Sequence, residues 1–333
     1  MASRFSLIYH CEERALSGAE VSPRRGNLRL LGLVAIILFG CRPATPPPSP
    51  SDLTQIAATP IPETTSAPPT FLPDGATEIR NAPYELGAAD TVQVVQFTDG
   101  KFEQGIPGSD NFMSIAVTEH MAVGDLDGDG TEEVAALISE NYGGSGVFVF
   151  LAVYANVNGT LTFQASTIVD DRPQLNVLSI ENGEIFLDAV IHGTDDPMCC
   201  PTLSTMRHYR FVDNQLDMTD YTTFTPDGNP RTITIESPTD GTDVFSSVQM
   251  KGSVAIAPFE NNLVYRIFDV SGIELSAGPI AVTAPDLGAP GTFDVVIPLG
   301  RVLSDSIIRI EVQDLSAADG SLLAMDSVEL VVK

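Results

Sequence analysis

The sequence predicts a mainly β protein: two antiparallel β-rich domains behind a disordered tether. Three observations carry this reading. Short runs of β-branched and aromatic residues recur from about Thr77 to the C-terminus, and Asn-Gly, Asp-Gly or Ser-Gly pairs separate many of them. Few stretches place apolar residues at helical spacing. Ahead of the strands, Pro, Thr, Ser and Ala dominate from Arg42 to about Pro73. Such a segment cannot bury enough apolar area to offset the entropy of ordering it.

The first domain spans residues 77–220. Val92–Phe97 is followed by Asp99-Gly100, a hairpin pair, and then by Lys101–Glu103. Gly146–Asn156 is apolar and turns at Asn158-Gly159 into Leu161–Ala165. Val177–Ile180 meets Ile185–Val190 across Asn182-Gly183, and Arg207–Val212 closes near Asp213-Asn214. Glu132–Ser139 is open to either a short helix or a strand. The expectation is a mostly antiparallel sheet.

The second domain spans residues 231–333. Its seven strand signals are Thr232–Glu236, Val248–Ala255, Leu263–Asp269, Ile280–Thr283, Phe293–Pro298, Ile307–Gln313 and Ser327–Val332. Turn residues part them at Asp240-Gly241, Ser271-Gly272, Ala289-Pro290-Gly291 and Asp319-Gly320. Seven short strands in about 100 residues suggest a β-sandwich of immunoglobulin type. The region has neither Trp nor a Cys pair, so it is not antibody-like. Ser237-Pro238, Gly241, Gly252, Phe259-Glu260, Asp269, Gly272, Gly278 and Asp319-Gly320-Ser321 resemble, in their order, the immunoglobulin-like domain of bacterial spore germination proteins. That resemblance implies a noncatalytic extracytoplasmic module and supplies no functional residues. In the first domain, Gly124–Gly130, Gly143–Gly146 and His192–Thr202 resemble a group of uncharacterised secreted bacterial proteins.

Residues 1–40 read as a signal peptide. Leu30–Phe39 contains no charge and no proline, and Arg24, Arg25 and Arg29 precede it. The run is shorter than the ~20 apolar residues of a spanning helix. Glu12, Glu13 and Glu20 suit a basic leader poorly, and a well-proportioned leader begins at Val21, which points to a start there. Leu38-Phe39-Gly40-Cys41 resembles a bacterial lipobox. The resemblance implies cleavage before Cys41, lipidation of that cysteine, and a protein held on the extracytoplasmic side of the cell membrane. Residues 41–76 then form the tether, stiffened by proline, with a reach of up to ~3 Å per residue.

The formal charge is −27, and the leader holds five Arg against three acids, so the remainder is more acidic still. Nucleic-acid binding needs Lys and Arg to displace counterions from phosphates, and no basic patch is present. Attraction to anionic lipid fails for the same reason, so the lipid anchor must hold the protein.

Asp125-x-Asp127-x-Asp129-Gly130-Thr131-x-Glu133 is the sharpest motif. Carboxylates of Asp125, Asp127, Asp129 and Glu133, with the Thr131 carbonyl, offer the oxygen set that calcium takes. An EF-hand also requires an acid at position 12, which here is Ala136. The pattern resembles the calcium loops of integrin-type propeller repeats, although one copy cannot build a propeller. A solvated acidic turn is the plain alternative, since Asp and Gly both favour turns.

Cys199-Cys200 are the only cysteines left once Cys11 and Cys41 are set aside. Adjacent cysteines in an oxidising compartment favour a vicinal disulfide. Free thiols, or a metal site with His192, Asp195, Asp196 or His208, stay open. Adjacency suits structural zinc poorly, because its ligands are usually spaced by two or more residues. Gly143–Gly146 lacks the ending of a P-loop and does not match Gly-x-Ser-x-Gly, so it reads as a flexible turn. No nucleophile context accompanies His120, His192 or His208.

The expected function is noncatalytic binding or scaffolding at the cell envelope, with a protein or glycan partner and a structural calcium ion. The competing class is a secreted hydrolase with a site near His192–His208.

Overall fold

The computed structural model describes residues 75–88, 91–109, 111–300 and 302–333. The expected leader, the expected Cys41 anchor and the expected tether as far as residue 74 lie outside the described residues, while Gly75 and Ala76, expected in the tether, begin a short helix. A four-residue helix, Gly75–Glu78, and a 3-10 turn, Ile79–Asn81, lead into the strands. The first region holds β1 (Pro83–Glu85), β2 (Val94–Gln96), β3 (Lys101–Gln104), β4 (Met113–Gly124), β5 (Glu133–Asn141) and β6 (Phe148–Val157). It continues with β7 (Thr160–Asp171), β8 (Gln174–Glu181), β9 (Glu184–Ile191), β10 (Leu203–Val212) and β11 (Gln215–Phe224). The second holds β12 (Pro230–Arg231), β13 (Ile233–Ser237), β14 (Thr242–Val244), β15 (Ser247–Val254) and β16 (Asn262–Asp269). It ends with β17 (Glu274–Ala281), β18 (Gly291–Pro298), β19 (Ser306–Leu315) and β20 (Leu322–Val332).

The first region has three layers. Its middle layer is the sheet β3-β4-β5-β6-β7. Both faces of that sheet are buried, which explains the unbroken apolar runs of β5 and β6. Alternate residues point to opposite faces of a strand. Val134, Ala136, Ile138, Ala152 and Tyr154 enter one core, beside Tyr84 and Phe97 of the β1–β2 pair. Ala135, Leu137, Leu151 and Val153 enter a second core, beside Ile185, Leu187, Tyr209 and Phe211. Each large apolar side chain so buried contributes ~1.5–3 kcal/mol. Glu132–Ser139, open to two readings in the sequence, is therefore strand from Glu133 onward.

An acid lies inside this packing. Glu140 on β5 is fully buried. Its carboxylate accepts from the Tyr84 hydroxyl at 2.7 Å, the Tyr142 hydroxyl at 2.6 Å and the Gly87 N–H at 2.8 Å. These donors replace the water it lost, and they fasten the β1–β2 pair to the middle sheet.

The turns fall where the sequence puts them, with one difference of pairing. Asn158-Gly159 and Asn182-Gly183 both adopt positive φ and close β6–β7 and β8–β9. Asp99-Gly100 also has positive φ. The strands flanking that turn then part: β2 pairs with β1 and β3 with β4, leaving a single Thr98–Lys101 bridge between them.

In the second region the sheet β13-β15-β18 packs against β16, β17, β19 and β20. Met250, Phe293 and Ile297 face Leu263, Ile267, Ile310 and Leu330 in this core. Two elements were not legible in the sequence: β14, which pairs parallel with β20, and the two-residue β12, which pairs with β11.

A single sheet runs through both regions, in the order β17-β16-β19-β20-β11-β10-β9-β8. The seam is β11 against β20, where Asp220, Tyr221 and Thr222 stand opposite Asp326, Met325 and Ala324. Thr223 Oγ1 donates to the Leu323 carbonyl at 2.6 Å, and Ser327 Oγ donates to that of Thr219 at 2.9 Å.

Candidate functional site

The acidic loop joins β4 to β5, and Gly124 stands opposite Glu133 at its base. Gly124 is needed for close packing: a Cβ there would meet Ile180 Cγ2 on β8 at 2.6 Å. Gly128 and Gly130 take φ of 78° and 86°, in the region that favours glycine. The loop ties itself with its own carboxylates. Asp125 accepts from Gly128 N–H at 2.8 Å and Gly130 N–H at 3.0 Å. Asp127 accepts from Asp129 N–H at 3.1 Å, and Asp129 from Thr131 N–H at 2.6 Å.

Glu133 is different in kind, being only 2% exposed. Its Oε2 accepts from Leu126 N–H at 2.8 Å. Burial raises its pKa, and repulsion from Asp127, Asp129 and Asp125 adds to the rise, against the Leu126 hydrogen bond that lowers it. One oxygen from each of Asp125, Asp127 and Glu133 lies within 4.8 Å of the others. Oxygens that share a calcium ion at 2.3–2.6 Å stand no more than about 5 Å apart, so this spacing fits a divalent cation. Asp129 lies outside the group, turned to the Thr131 N–H.

The loop borders a cleft of about 1120 Å³. Asp125 and Asp127 line one side, Asn182 and Glu184 another, and Arg210 and Asp240 the side towards the sandwich. Arg210 holds three acids there: Asp240 at 2.8 Å, Glu329 at 2.8 Å and Glu184 at 3.6 Å. Those charges raise the guanidinium pKa, although burial opposes them. Sequence reading did not single out Arg210, because its acids come from three separate strands and loops.

Cys199 and Cys200 are paired with each other on an exposed loop. Asp196 closes that loop, accepting from Gly193 N–H at 2.8 Å and Thr202 N–H at 2.6 Å. Hydrogen bonds from these groups hold the Asp196 carboxyl below its ordinary pKa. Thr194 Oγ1 donates to Asp319 in the β19–β20 turn, so the loop also touches the sandwich.

The structure keeps His192 and His208 apart. His192 follows the end of β9, whose Ile191 pairs with Leu203, and His208 lies five residues further along β10. At ~3.3 Å per residue that is roughly 17 Å. His192 Nδ1 lies 2.9 Å from Asp170, whose carboxylate raises the imidazole pKa. His208 faces Asp220 at 3.7 Å and leans on Phe186, with ring centroids 5.2 Å apart. Neither ring is hydrogen-bonded to a serine, threonine or cysteine among the described residues.

Arg207 was also missed in the sequence. It is 5% exposed, donates to the Val169 carbonyl at 3.2 Å and lies over the Tyr221 ring at 5.5 Å. Both contacts stabilise a buried cation that has no carboxylate within ion-pair reach among the described residues.

No curated protein matches the chain. Residues 232–321, which make up most of the sandwich, match the family of the immunoglobulin-like domain of bacterial spore germination, which is not a catalytic family.

Proposed function

We propose that this protein is a noncatalytic binding or scaffolding module of the cell envelope. Cys41 anchors it by lipid on the extracytoplasmic side of the membrane, and the proline-rich tether holds the β regions away from the bilayer. A calcium ion at Asp125, Asp127 and Glu133 orders one wall of the cleft that opens towards the sandwich. Asp129 and the Thr131 carbonyl complete the oxygen set once Asp129 turns from its own loop. The partner is an envelope protein or glycan.

The observation that carries this reading is the convergence of three carboxylates, Asp125, Asp127 and the buried Glu133, two of which line the cleft. Its role is structural: the ion would neutralise carboxylates that otherwise repel one another at ~1 kcal/mol or more per close pair. The match of the sandwich to a noncatalytic module agrees with a binding role. The test is co-sedimentation of the mature protein with purified envelope material, with calcium and with chelator. Calcium-dependent retention is expected. No retention in either condition would overturn the reading.

A further inference from the structure

The outward face of the shared sheet belongs to neither core. On β9 and β10, Leu187, Thr205, Arg207 and Tyr209 are buried, so the alternate residues Asp188, Met206 and His208 point outward. The register sets these outward residues in rows. One row is Asp188, Met206 and Thr222, and the next is Phe186, His208 and Asp220. Asn176 Nδ2 donates to Asp188 Oδ1 at 3.0 Å at the margin of the face. Two cavities, of about 620 and 730 Å³, lie along it and share Met206 and Phe224. Together they form one groove, running from Gly193 and Asp188 to Arg210 and Asp240. Thr232, Thr234 and Asp326 of the sandwich form a side wall.

We infer that this groove binds an extended, hydroxyl-rich chain that carries amino groups: a deacetylated aminosugar polymer. Met206 and Phe224 supply the apolar floor, and Glu184, Asp188 and Asp220 supply the acceptors. The inference rests on the envelope-binding reading and names the chemistry of the partner.

The match is one of shape, hydrogen bonding and charge. A sugar ring has an apolar C–H face that packs on aromatic and thioether groups, and a polar rim of hydroxyls that donate to carboxylates. Carboxylates of Glu184, Asp188, Asp220, Asp240 and Asp326 line the groove, and Arg210 is already held by Asp240, Glu184 and Glu329. Such a field repels uronate or phosphate sugars and draws ammonium groups. A peptide fits less well. Strands β9, β10 and β11 each have a neighbour on both sides, so the floor offers no free backbone edge for strand addition.

The test is calorimetric titration of the detergent-solubilised mature protein with a glucosamine hexamer. An N-acetylglucosamine hexamer, a galacturonate hexamer and hexalysine serve as comparisons. The glucosamine hexamer is expected to bind, and the other three to bind at least about tenfold more weakly. Phe224→Ala and the shape-preserving Asp188→Asn are each expected to weaken it by roughly tenfold or more, with circular dichroism unchanged. Absence of binding, equal binding of hexalysine, or full affinity in both variants overturns the inference. Retention of envelope material by a wild-type protein that ignores the glucosamine hexamer would sink the groove alone. Failure of both assays would sink the envelope-binding reading with it.

Discussion

Arg210 on β10 binds Glu329 on β20 at 2.8 Å, and this pair crosses the seam between the two β regions. Arg309 on β19 reaches back to Asp217 on β11 at 3.2 Å. Charge pairs thus reinforce a seam whose backbone pairing covers three residues on each strand. Arg210→Ala leaves Asp240, Glu184 and Glu329 facing one another without their cation. The expected loss is about 1–2 kcal/mol, or a few degrees in Tm, within a single unfolding transition. An unchanged urea midpoint would show that the pair adds nothing.

The pH dependence of stability follows from Asp326 beside the same seam. Burial raises its pKa to about 6, against hydrogen bonds from Ile235 N–H and Ser327 N–H. The folded form then binds protons more tightly than the unfolded chain, whose carboxylate titrates near 3.8. Its contribution is therefore greatest below about pH 4 and is lost as pH rises through about 6. The raised His192 and His208 act in the same direction at higher pH, with stability lost as pH rises past their folded values. Below pH 4 the lowered carboxyls of Asp171, Asp196 and Asp319 act in the opposite sense. Urea unfolding between pH 4 and 6 should show a fall in stability with pH that Asp326→Asn flattens. An identical slope in the variant would remove Asp326 from the account.

Much of the fold was legible because its signals are local. Asn158-Gly159 and Asn182-Gly183 specify turns by their own backbone preferences, whatever the rest of the chain does. The acidic loop was legible for the same reason, since its carboxylates lie within nine residues. The seam between β11 and β20 was not legible, because it joins residues about 100 apart through pairing that no local pattern encodes. Glu140 reads as one polar residue ending an apolar run; its role emerges only when Tyr84 and Gly87 arrive from more than 50 residues away. The outward groove is hidden likewise, since Asp188, Met206 and Thr222 become neighbours only once β9, β10 and β11 are in register.

The pairing of Cys199 with Cys200 makes a thiol count decisive. Mature protein denatured without reductant should take up no alkylating reagent at these residues. After reduction it should take up two equivalents. Two alkylated cysteines in the unreduced sample would contradict the pairing.

The proposed anchor depends on one sulfur. Only the Cys41 thiol can become the lipid thioether, so Cys41→Ser should move the protein from the membrane to the soluble fraction. One acyl chain holds weakly, whereas two or more hold stably. A Cys41→Ser protein that stays on the membrane after a high-salt wash would contradict lipidation there.

The most direct measurement is thermal unfolding of the mature protein across calcium concentration. A cation bound only by the folded form stabilises it by ~2.7 kcal/mol at a hundredfold excess over Kd. Tm should rise with millimolar calcium, fall with chelator and respond weakly to magnesium, which prefers a tighter octahedron and keeps its waters. Asp127→Asn, which removes one of the three converging carboxylates, should abolish the response while the chelated protein stays folded. A Tm that does not move between chelator and calcium, with no bound ion by elemental analysis, would reduce Asp125–Glu133 to an acidic turn.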